Sequence, residues 1–410
     1  MNVISGAVFL GILLTSSNNA YENNYTKENI EILDNSTYEE IALSYLKFQY
    51  KFKSINYDTL DVIFTNDLMN ENEIAVGKVV IVCRDSNFDY VILNCITKSV
   101  DEFSLNCHDA VERFSNKVFY TGLMNYYKES NYNYVGLNKS QTISKSSLKR
   151  KSEKICKKWK RIQSESNPNM PSSKDGWNGF YDWNSLIETL YHAGYSNNEW
   201  RYLDGITTNG VNSGLYFDSQ TTFNNYFDCD NSCGPTACTN MFKWFNYKKI
   251  KNKNSVTNAL KNGNKYDTFA RFRQLLKHDV YEATYPQYYN DAIKTYAKEQ
   301  GYSYEIDRYI DTYEEFKENI DKGMPVLTRI QLDADDWGAH RLLVVGYESF
   351  ALPYTQSHSF LGLYTWTTTE YKYVRYLRVI DGWSSSNDSV YIDVSGYWDE
   401  LEGVGFRIYG

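Results

Sequence analysis

The order of helix-like and strand-like segments in the C-terminal half is the feature that most constrains the fold. Apolar residues recur at helical spacing within residues 233–245, 267–278 and 289–300. Beyond Gly323 the pattern changes to short β-branched and aromatic runs: PVLTRIQL (325–332), RLLVVGYE (341–348), YLRVIDG (376–382), VYIDVS (390–395) and VGFRIYG (404–410). Helices followed by strands, rather than alternating with them, are typical of an α+β fold. We therefore predict an α+β domain over residues 176–410.

Residues 21–143 form a second block with its own pattern. A helix is predicted over 38–52, where apolar residues share one face. Two strand-like runs, 78–85 and 90–97, are separated by residues 86–89, which we interpret as a hairpin turn. The block is long enough to bury a core, so we predict a small α+β domain.

Residues 144–175 differ in composition from both blocks. Nine basic residues and one acid, Glu153, lie between Lys145 and Arg161, and a polar, Pro-containing segment follows. The basic run is consistent with a solvated helix or an arm that binds an anionic surface. Polar connectors between domains are also where proteases cut most readily. We favour a linker that contains a processing site.

The first 20 residues are interpreted as a signal peptide. Residues 4–14 are apolar, and small polar residues follow up to Ala20. This length suits an export signal and is too short to span a bilayer. The segment before it lacks Lys and Arg, so a buried strand or helix is the alternative. We expect a secreted protein without an integral membrane segment after signal removal.

The charge and the cysteines exclude several classes of protein. The formal net charge of −8 gives no basic footprint for nucleic acid. Seven cysteines in a chain of 410 residues are an odd number, and their spacing predicts neither a disulfide framework nor a zinc site. No metal or organic cofactor is expected.

One cysteine stands at a predicted helix start. Cys233 is followed by Gly234 and Pro235, and Pro is favoured in the first turn of a helix. A thiol at a helix N-terminus has a lowered pKa and becomes a better nucleophile. Cys238 falls on the apolar face of the same helix and is interpreted as structural. Cys229 is interpreted as structural or as a free thiol.

Two further residues complete a candidate triad. His340 follows two small residues and directly precedes the apolar run LLVVGY, so it starts a core strand. Asp381 ends a later strand, immediately before Gly382. A nucleophilic Cys needs a base, and the base needs a third group that fixes its tautomer. We predict Cys233 as nucleophile, His340 as base and Asp381 as orienting acid.

These motifs together resemble the C39-like bacterial cysteine peptidases of the papain-like superfamily. The resemblance covers roughly residues 215–410 and rests on CGPTA (233–237), the Ala339–His340 strand and the Asp381 strand end. It implies a papain-like fold, a protein or peptide substrate and an upstream amide that donates to the oxyanion. Gln220 takes that role by its position, with Asn224, Asn225 and Asn231 as alternatives. Many relatives have Gly where this chain has Ala339.

The N-terminal block weakly resembles the propeptides of streptopain-type peptidases. That resemblance implies a zymogen, in which residues 21–143 act as an intramolecular partner of the catalytic domain. Two other functions stay open from the sequence. The same order of residues serves transglutaminase-like or cell-wall peptide acyl-transfer enzymes, and a non-catalytic surface binding protein could retain the fold.

Overall fold

The structure of the protein is a computed structural model. It describes residues 38–97, 99–137, 142–165, 199–207, 210–211, 215–229, 231–248, 265–278, 286–330, 340–360, 364–382, 389–395 and 401–409. The predicted signal peptide and the segment 166–198, which includes the end of the predicted linker, lie outside these residues. No helix within the described ranges is long and apolar enough to cross a membrane.

Eight helices lie in the described residues. They are α1 Tyr38–Phe52, α2 Ala110–Phe114, α3 Lys145–Glu165, α4 Gln220–Phe227, α5 Cys233–Tyr247, α6 Lys265–Leu275, α7 Pro286–Glu299 and α8 Tyr313–Asp321. The helix predicted over 38–52 is confirmed as α1. Those predicted near 267–278 and 289–300 correspond to α6 and α7, which begin two to three residues earlier.

The strands of the described part are as follows: β1 Leu60–Met69, β2 Ala75–Arg84, β3 Asn87–Asn94, β4 Ser99–Leu105, β5 Val118–Tyr120, β6 Tyr126–Ser130, β7 Asn133–Gly136, β8 Thr142–Ile143, β9 Glu199–Tyr202, β10 Ile206–Thr207, β11 Gly210–Val211, β12 Ser303–Ile310, β13 Val326–Ile330, β14 His340–Phe360, β15 Tyr364–Ile380, β16 Ser389–Asp393 and β17 Leu401–Tyr409.

One large sheet dominates the fold. Its strand order is β12-β17-β13-β14-β15-β16-β4-β3-β2-β1-β5-β6-β7-β8, and β9 pairs with β14 off this path. Its strand pairs are antiparallel except for β1 with β5. Strands β10 and β11 form a separate pair. The mixed architecture with a large antiparallel sheet confirms the predicted combination of helices and antiparallel strands.

The hairpin of β2 and β3 turns earlier than the sequence suggested. We predicted the turn at residues 86–89, whereas Arg84 pairs directly with Asn87. The two residues between them, Asp85 and Ser86, have φ of 47° and 74°. Positive φ at both central positions matches the twist of the flanking strands, so a two-residue turn is favoured over a longer loop.

The N-terminal block and the C-terminal part share this sheet. Strand β4 pairs with β16, with Phe103 opposite Tyr391 and their rings stacked at 4.4 Å between centroids. All described residues fall within one compact unit, Thr37–Gly410. The boundaries between residues 21–143, 144–175 and 176–410 stay a prediction about the chain's organisation.

The basic segment after residue 144 is helical as far as Glu165. Leu148, Ile155 and Trp159 are buried on one face of α3, and the ring of Trp159 stacks on Tyr120 at 5.5 Å. This spacing follows the helical repeat, while most of the Lys and Arg residues fall on other faces. The described part of the predicted linker is therefore packed against the N-terminal block.

Helix α5 and strand β14 position the candidate site. Residues 342–345 of β14 are fully buried, and α5 packs against this strand with an apolar face that includes Met241 and Phe242. The β14–β15 hairpin extends far beyond its predicted strands, since β14 has 21 residues and β15 has 17. Its outer part, TQSHSFLGLYTWTTTEYKY (355–373), is rich in Ser, Thr and Tyr rather than in the aliphatic residues typical of a core strand.

Candidate active site

Cys233 is the first residue of α5, as the sequence predicted. The helix begins after Ser232, whose carbonyl accepts a hydrogen bond from the backbone N–H of Thr236 at 3.0 Å. Pro235 lies in the first turn, where its missing N–H leaves no intrahelical bond unmade. The thiol therefore lies at the positive end of a 15-residue helix, which favours the thiolate.

His340 is the first residue of β14 and is buried, with 7% of its surface exposed. Its Nε2–H donates to the backbone carbonyl of Asp381 at 2.8 Å. A carbonyl oxygen can only accept, so this bond requires the proton on Nε2. Nδ1 is then the ring nitrogen left for a neighbouring group, which is the tautomer that a base beside a thiol needs.

Cys233 and His340 are hydrogen-bonded partners. Burial raises the pKa of the Cys233 thiol, but the hydrogen bond and charge of His340 and the backbone N–H and charge of Arg341 outweigh it. The pKa of Cys233 is therefore lowered from its ordinary value. A hydrogen-bonded Cys–His pair with a lowered thiol pKa is the arrangement of an activated nucleophile.

Asp381 directly follows β15 and is buried, with 3% of its surface exposed. The chain turns immediately afterwards at Gly382, whose φ of +70° favours glycine. The main-chain carbonyl of Asp381 accepts from His340, while its carboxylate accepts from the guanidinium of Arg113 at 3.3 Å. The structure brings His340 and Asp381 together, and the Asp381 backbone carbonyl is the acceptor for His340 Nε2. The orienting role of the Asp381 carboxylate stays a prediction.

Gln220 begins α4 and is fully buried. The Ser219 side chain caps the helix by accepting from the backbone N–H of Thr222 at 3.1 Å. The backbone N–H of Gln220 donates to the carbonyl of Gly382 at 2.7 Å, which brings α4 to the Asp381 turn. Neither atom of the Gln220 side-chain amide is hydrogen-bonded within the described residues. A buried amide without partners is costly unless a ligand uses it.

The three Asn residues considered as alternative oxyanion donors differ from Gln220 in their contacts and exposure. Asn224 Oδ1 accepts from the Ser232 hydroxyl and from the Cys229 thiol, the latter at 3.6 Å. Asn225 is exposed, and Asn231 takes a left-handed conformation with φ of 54° just before the α5 cap. Asn224 therefore has a structural role that ties α4 to the start of α5, and Gln220 is the better candidate for a donor.

Two basic residues near the site were not predicted. Arg341 follows His340, is buried, and its guanidinium lies 4.2 Å from the ring centroid of Tyr289. Its position beside His340 was a visible signal, since a cation next to a thiol stabilises the thiolate. Arg113 comes from α2, and no local pattern in the sequence connects it with Asp381.

The other thiols near the site have different environments. Cys238 is fully buried on the apolar face of α5, and burial raises the pKa of its thiol. The structural interpretation of Cys238 agrees with this position. In the parts of the chain that the structure describes, no group of three or more His, Cys, Asp or Glu residues could hold a metal ion.

Comparison with known families covers the same region of the chain. Residues 216–400 match the Peptidase_C39 like family, and this range includes Gln220, Cys233, His340 and Asp381. A search of the curated proteins found no match. The predicted resemblance to C39-like peptidases is thus confirmed over residues 216–400.

Proposed function

We propose that the protein is a cysteine endopeptidase of papain-like fold that hydrolyses peptide bonds through Cys233, His340 and Asp381. The observation that carries the proposal is the hydrogen-bonded pair of Cys233 and His340 at the N-terminus of α5, with a thiol of lowered pKa. The family match supports a peptidase. The geometry supports it further, because a thiol at a helix N-terminus, an imidazole beside it and a carbonyl that accepts from that imidazole suit the roles of nucleophile, base and orienting group.

The first half of the reaction is acylation. The Cys233 thiolate attacks the carbonyl carbon of the substrate, and a carbon–sulfur bond forms as the carbonyl oxygen takes the negative charge. His340, protonated on both nitrogens, transfers its Nδ1 proton to the leaving amine, and the carbon–nitrogen bond breaks. Nε2–H keeps its hydrogen bond to the Asp381 carbonyl throughout, so the ring holds its orientation.

The second half is hydrolysis of the thioester. Neutral His340 accepts a proton from water through Nδ1, and the hydroxide adds to the acyl carbon. Collapse of this intermediate breaks the carbon–sulfur bond, restores the Cys233–His340 ion pair and releases the carboxylic acid, which then loses its proton to water. Gln220 donates its side-chain N–H to the oxyanion in both halves, and the backbone N–H of Cys233 is the second donor.

The proposal also includes export and proteolytic maturation of the protein. We take residues 1–20 as an export signal, and the protein as a secreted precursor that is cut in its connector. Residues 144–165 are packed as α3, so the cut is placed after Glu165. N-terminal sequencing of the processed, secreted protein should then give a new terminus between about 166 and 180. A mature terminus within residues 38–137 would refute this division.

The activity is tested with the full chain and a Cys233→Ala variant. Hydrolysis of casein should fall by roughly 10⁴-fold or more in the variant, because a lost nucleophile removes the whole acylation route. Cys238→Ala is the matched control, since Cys238 lies on the same helix and faces the core. Equal proteolysis by wild type and Cys233→Ala would refute the proposal.

The same assay separates the rival functions. A transglutaminase-like enzyme would incorporate a labelled primary amine into casein faster than it cuts the chain. A binding protein that retains the fold would show neither reaction in the wild type, and iodoacetamide would modify Cys233 no faster than Cys229.

A further inference from the structure

The Asp381 carboxylate is held by a residue from the N-terminal block. Arg113 Nη1 donates to Asp381 Oδ2 at 3.3 Å, and both side chains are almost fully buried, with 4% and 2% exposed. Arg113 lies outside residues 216–400, so the matched family region does not contain it. The contact joins α2 to the turn whose backbone carbonyl orients His340.

Arg113 is fixed by its own surroundings as well as by Asp381. Its Nη2 donates to both carboxylate oxygens of Asp109, at 2.9 and 3.2 Å. The next residue, Phe114, is fully buried between the rings of Tyr90 and Tyr126, at centroid distances of 5.1 and 5.2 Å. A short helix anchored in this way presents the guanidinium at a defined position rather than as a mobile surface group.

The N-terminal block is itself held firmly against the rest of the unit. Besides the β4–β16 pairing, Lys53 of α1 forms an ion pair with Glu348 of β14 at 2.6 Å, with neither side chain exposed. Phe48 packs edge-on against Phe350 at 5.0 Å. Cutting the chain after α3 breaks none of these contacts, so Arg113 stays in place after processing.

We propose that Arg113 is a positioning residue of the active site, which holds the Asp381 carboxylate so that the Asp381 carbonyl faces His340 Nε2. This inference rests on the proposed peptidase function and deepens it. The N-terminal region is then a working part of the mature enzyme and stays bound to it. It is not an inhibitor that must leave.

Removing the positive charge of Arg113 should change the thiol pKa of Cys233 in one direction. The charged and titratable groups that face Arg113 include Asp109, Cys107, Tyr90, Glu102, Tyr126 and Asp381. Removing Arg113 takes away a positive charge that lies beside Asp381 and near the Cys–His pair. A nearby positive charge favours the thiolate, so without it the thiol pKa of Cys233 rises and its alkylation moves to higher pH.

The test compares full-length wild type with Arg113→Ala, Arg113→Lys and Arg84→Ala. Arg84 is the matched control, because it forms a buried ion pair with Asp89 at 2.8 Å in the same block. Two quantities are measured: kcat and KM for peptide hydrolysis, and the pH profile of Cys233 alkylation by iodoacetamide, read by mass spectrometry of the peptide.

Arg113→Ala should lower kcat by about 10- to 100-fold with little change in KM, because a misplaced base slows the chemical step. Its alkylation profile should move by about 0.5 to 1 unit to higher pH. Arg113→Lys should recover most of kcat and the wild-type profile, and Arg84→Ala should keep both.

Two results would overturn the inference. Arg113→Ala could raise kcat, which would show that Arg113 inhibits the enzyme, or it could leave kcat and the alkylation profile unchanged, as Arg84→Ala should. If Arg113→Ala does not fold, Arg113→Gln against Arg113→Lys gives the same comparison with and without the charge. Failure of the peptidase proposal can be told apart from failure of this inference. In the first case wild type does not hydrolyse peptides, but the pH profile of Cys233 alkylation still shows whether Arg113 affects the thiol.

Discussion

His340 is oriented by the main chain of Asp381 rather than by a side chain alone, because its Nε2–H donates to the Asp381 carbonyl at 2.8 Å. In a triad whose tautomer depends on a carboxylate, changing that Asp to Asn costs about 10⁴-fold in kcat. Here the orienting carbonyl survives any substitution at position 381. The contribution of the carboxylate is its charge and its hold on Arg113.

The first prediction follows from this geometry. Asp381→Asn should lower kcat by only about 10- to 100-fold, because the amide oxygen can still accept from Arg113 and the backbone bond persists. Steady-state kinetics of wild type and variant measure the change in kcat. A loss near 10⁴-fold would mean that the carboxylate itself sets the tautomer.

The second prediction concerns Gln220. Gln220→Ala should lower kcat by about 10²- to 10³-fold and leave KM nearly unchanged, since the lost donor acts on the oxyanion and not on the bound substrate. Asn225→Ala removes an exposed amide from the same helix and should retain wild-type kinetics. If Asn224→Ala instead gives the larger loss in kcat without loss of stability, the oxyanion donor has been misassigned.

The third prediction concerns the buried pair of Lys53 and Glu348. Burial lowers the pKa of Lys53 to about 8, against the opposing effect of Glu348. Lys53→Ala should reduce the free energy of unfolding by about 3–5 kcal/mol, because it leaves Glu348 buried without its cation. The double change Lys53→Met with Glu348→Leu should cost less than Lys53→Ala alone.

Urea denaturation measures these changes. Lys322→Ala is the control, since Lys322 pairs with Glu318 at 2.7 Å on the surface and both side chains are well exposed. Its loss should change stability by no more than about 1 kcal/mol. Equal effects of the two Lys substitutions would show that the N-terminal block is not anchored through Lys53.

The fourth prediction concerns Asp393, on the strand that joins the two parts of the sheet. Burial raises its pKa to about 7, and the nearby Asp101 adds to the effect. The folded state therefore binds more protons than the unfolded chain between about pH 4 and 7, and stability falls as pH rises through that window. Glu102 and Asp101 act in the same direction, with pKa values raised to about 7 and about 6.

Asp393→Asn should remove part of the decrease in stability that accompanies a rise in pH. The amide oxygen can still accept from the backbone N–H of Ser395, which is 2.8 Å from Asp393 Oδ1. The variant should be more stable than wild type at pH 8, on the order of 2 kcal/mol, and equal to it near pH 4. Asp61→Asn, at an exposed position of β1, is the matched control for replacing a carboxylate by an amide. A variant less stable than wild type at pH 8 would contradict the assignment.

Local signals predicted much of the site. Pro235 and the apolar pattern after it predicted the helix start at Cys233, and the run after His340 predicted a strand. These signals work because helix starts and strand ends depend on residues within a few positions of each other. The outer half of the β14–β15 hairpin escaped prediction, since its sequence is rich in Ser, Thr and Tyr rather than in the aliphatic residues typical of core strands.

The sequence by itself determined the α+β order of the C-terminal half, the helix that carries Cys233, and the pairing of His340 with the Asp381 strand end. Only the tertiary structure decided that the Asp381 backbone faces His340 while Arg113, 268 residues earlier, takes its carboxylate. That contact depends on the register in which β4 meets β16 and on the packing of α2. No pattern within a few residues encodes it, because the partners meet only when distant strands join one sheet.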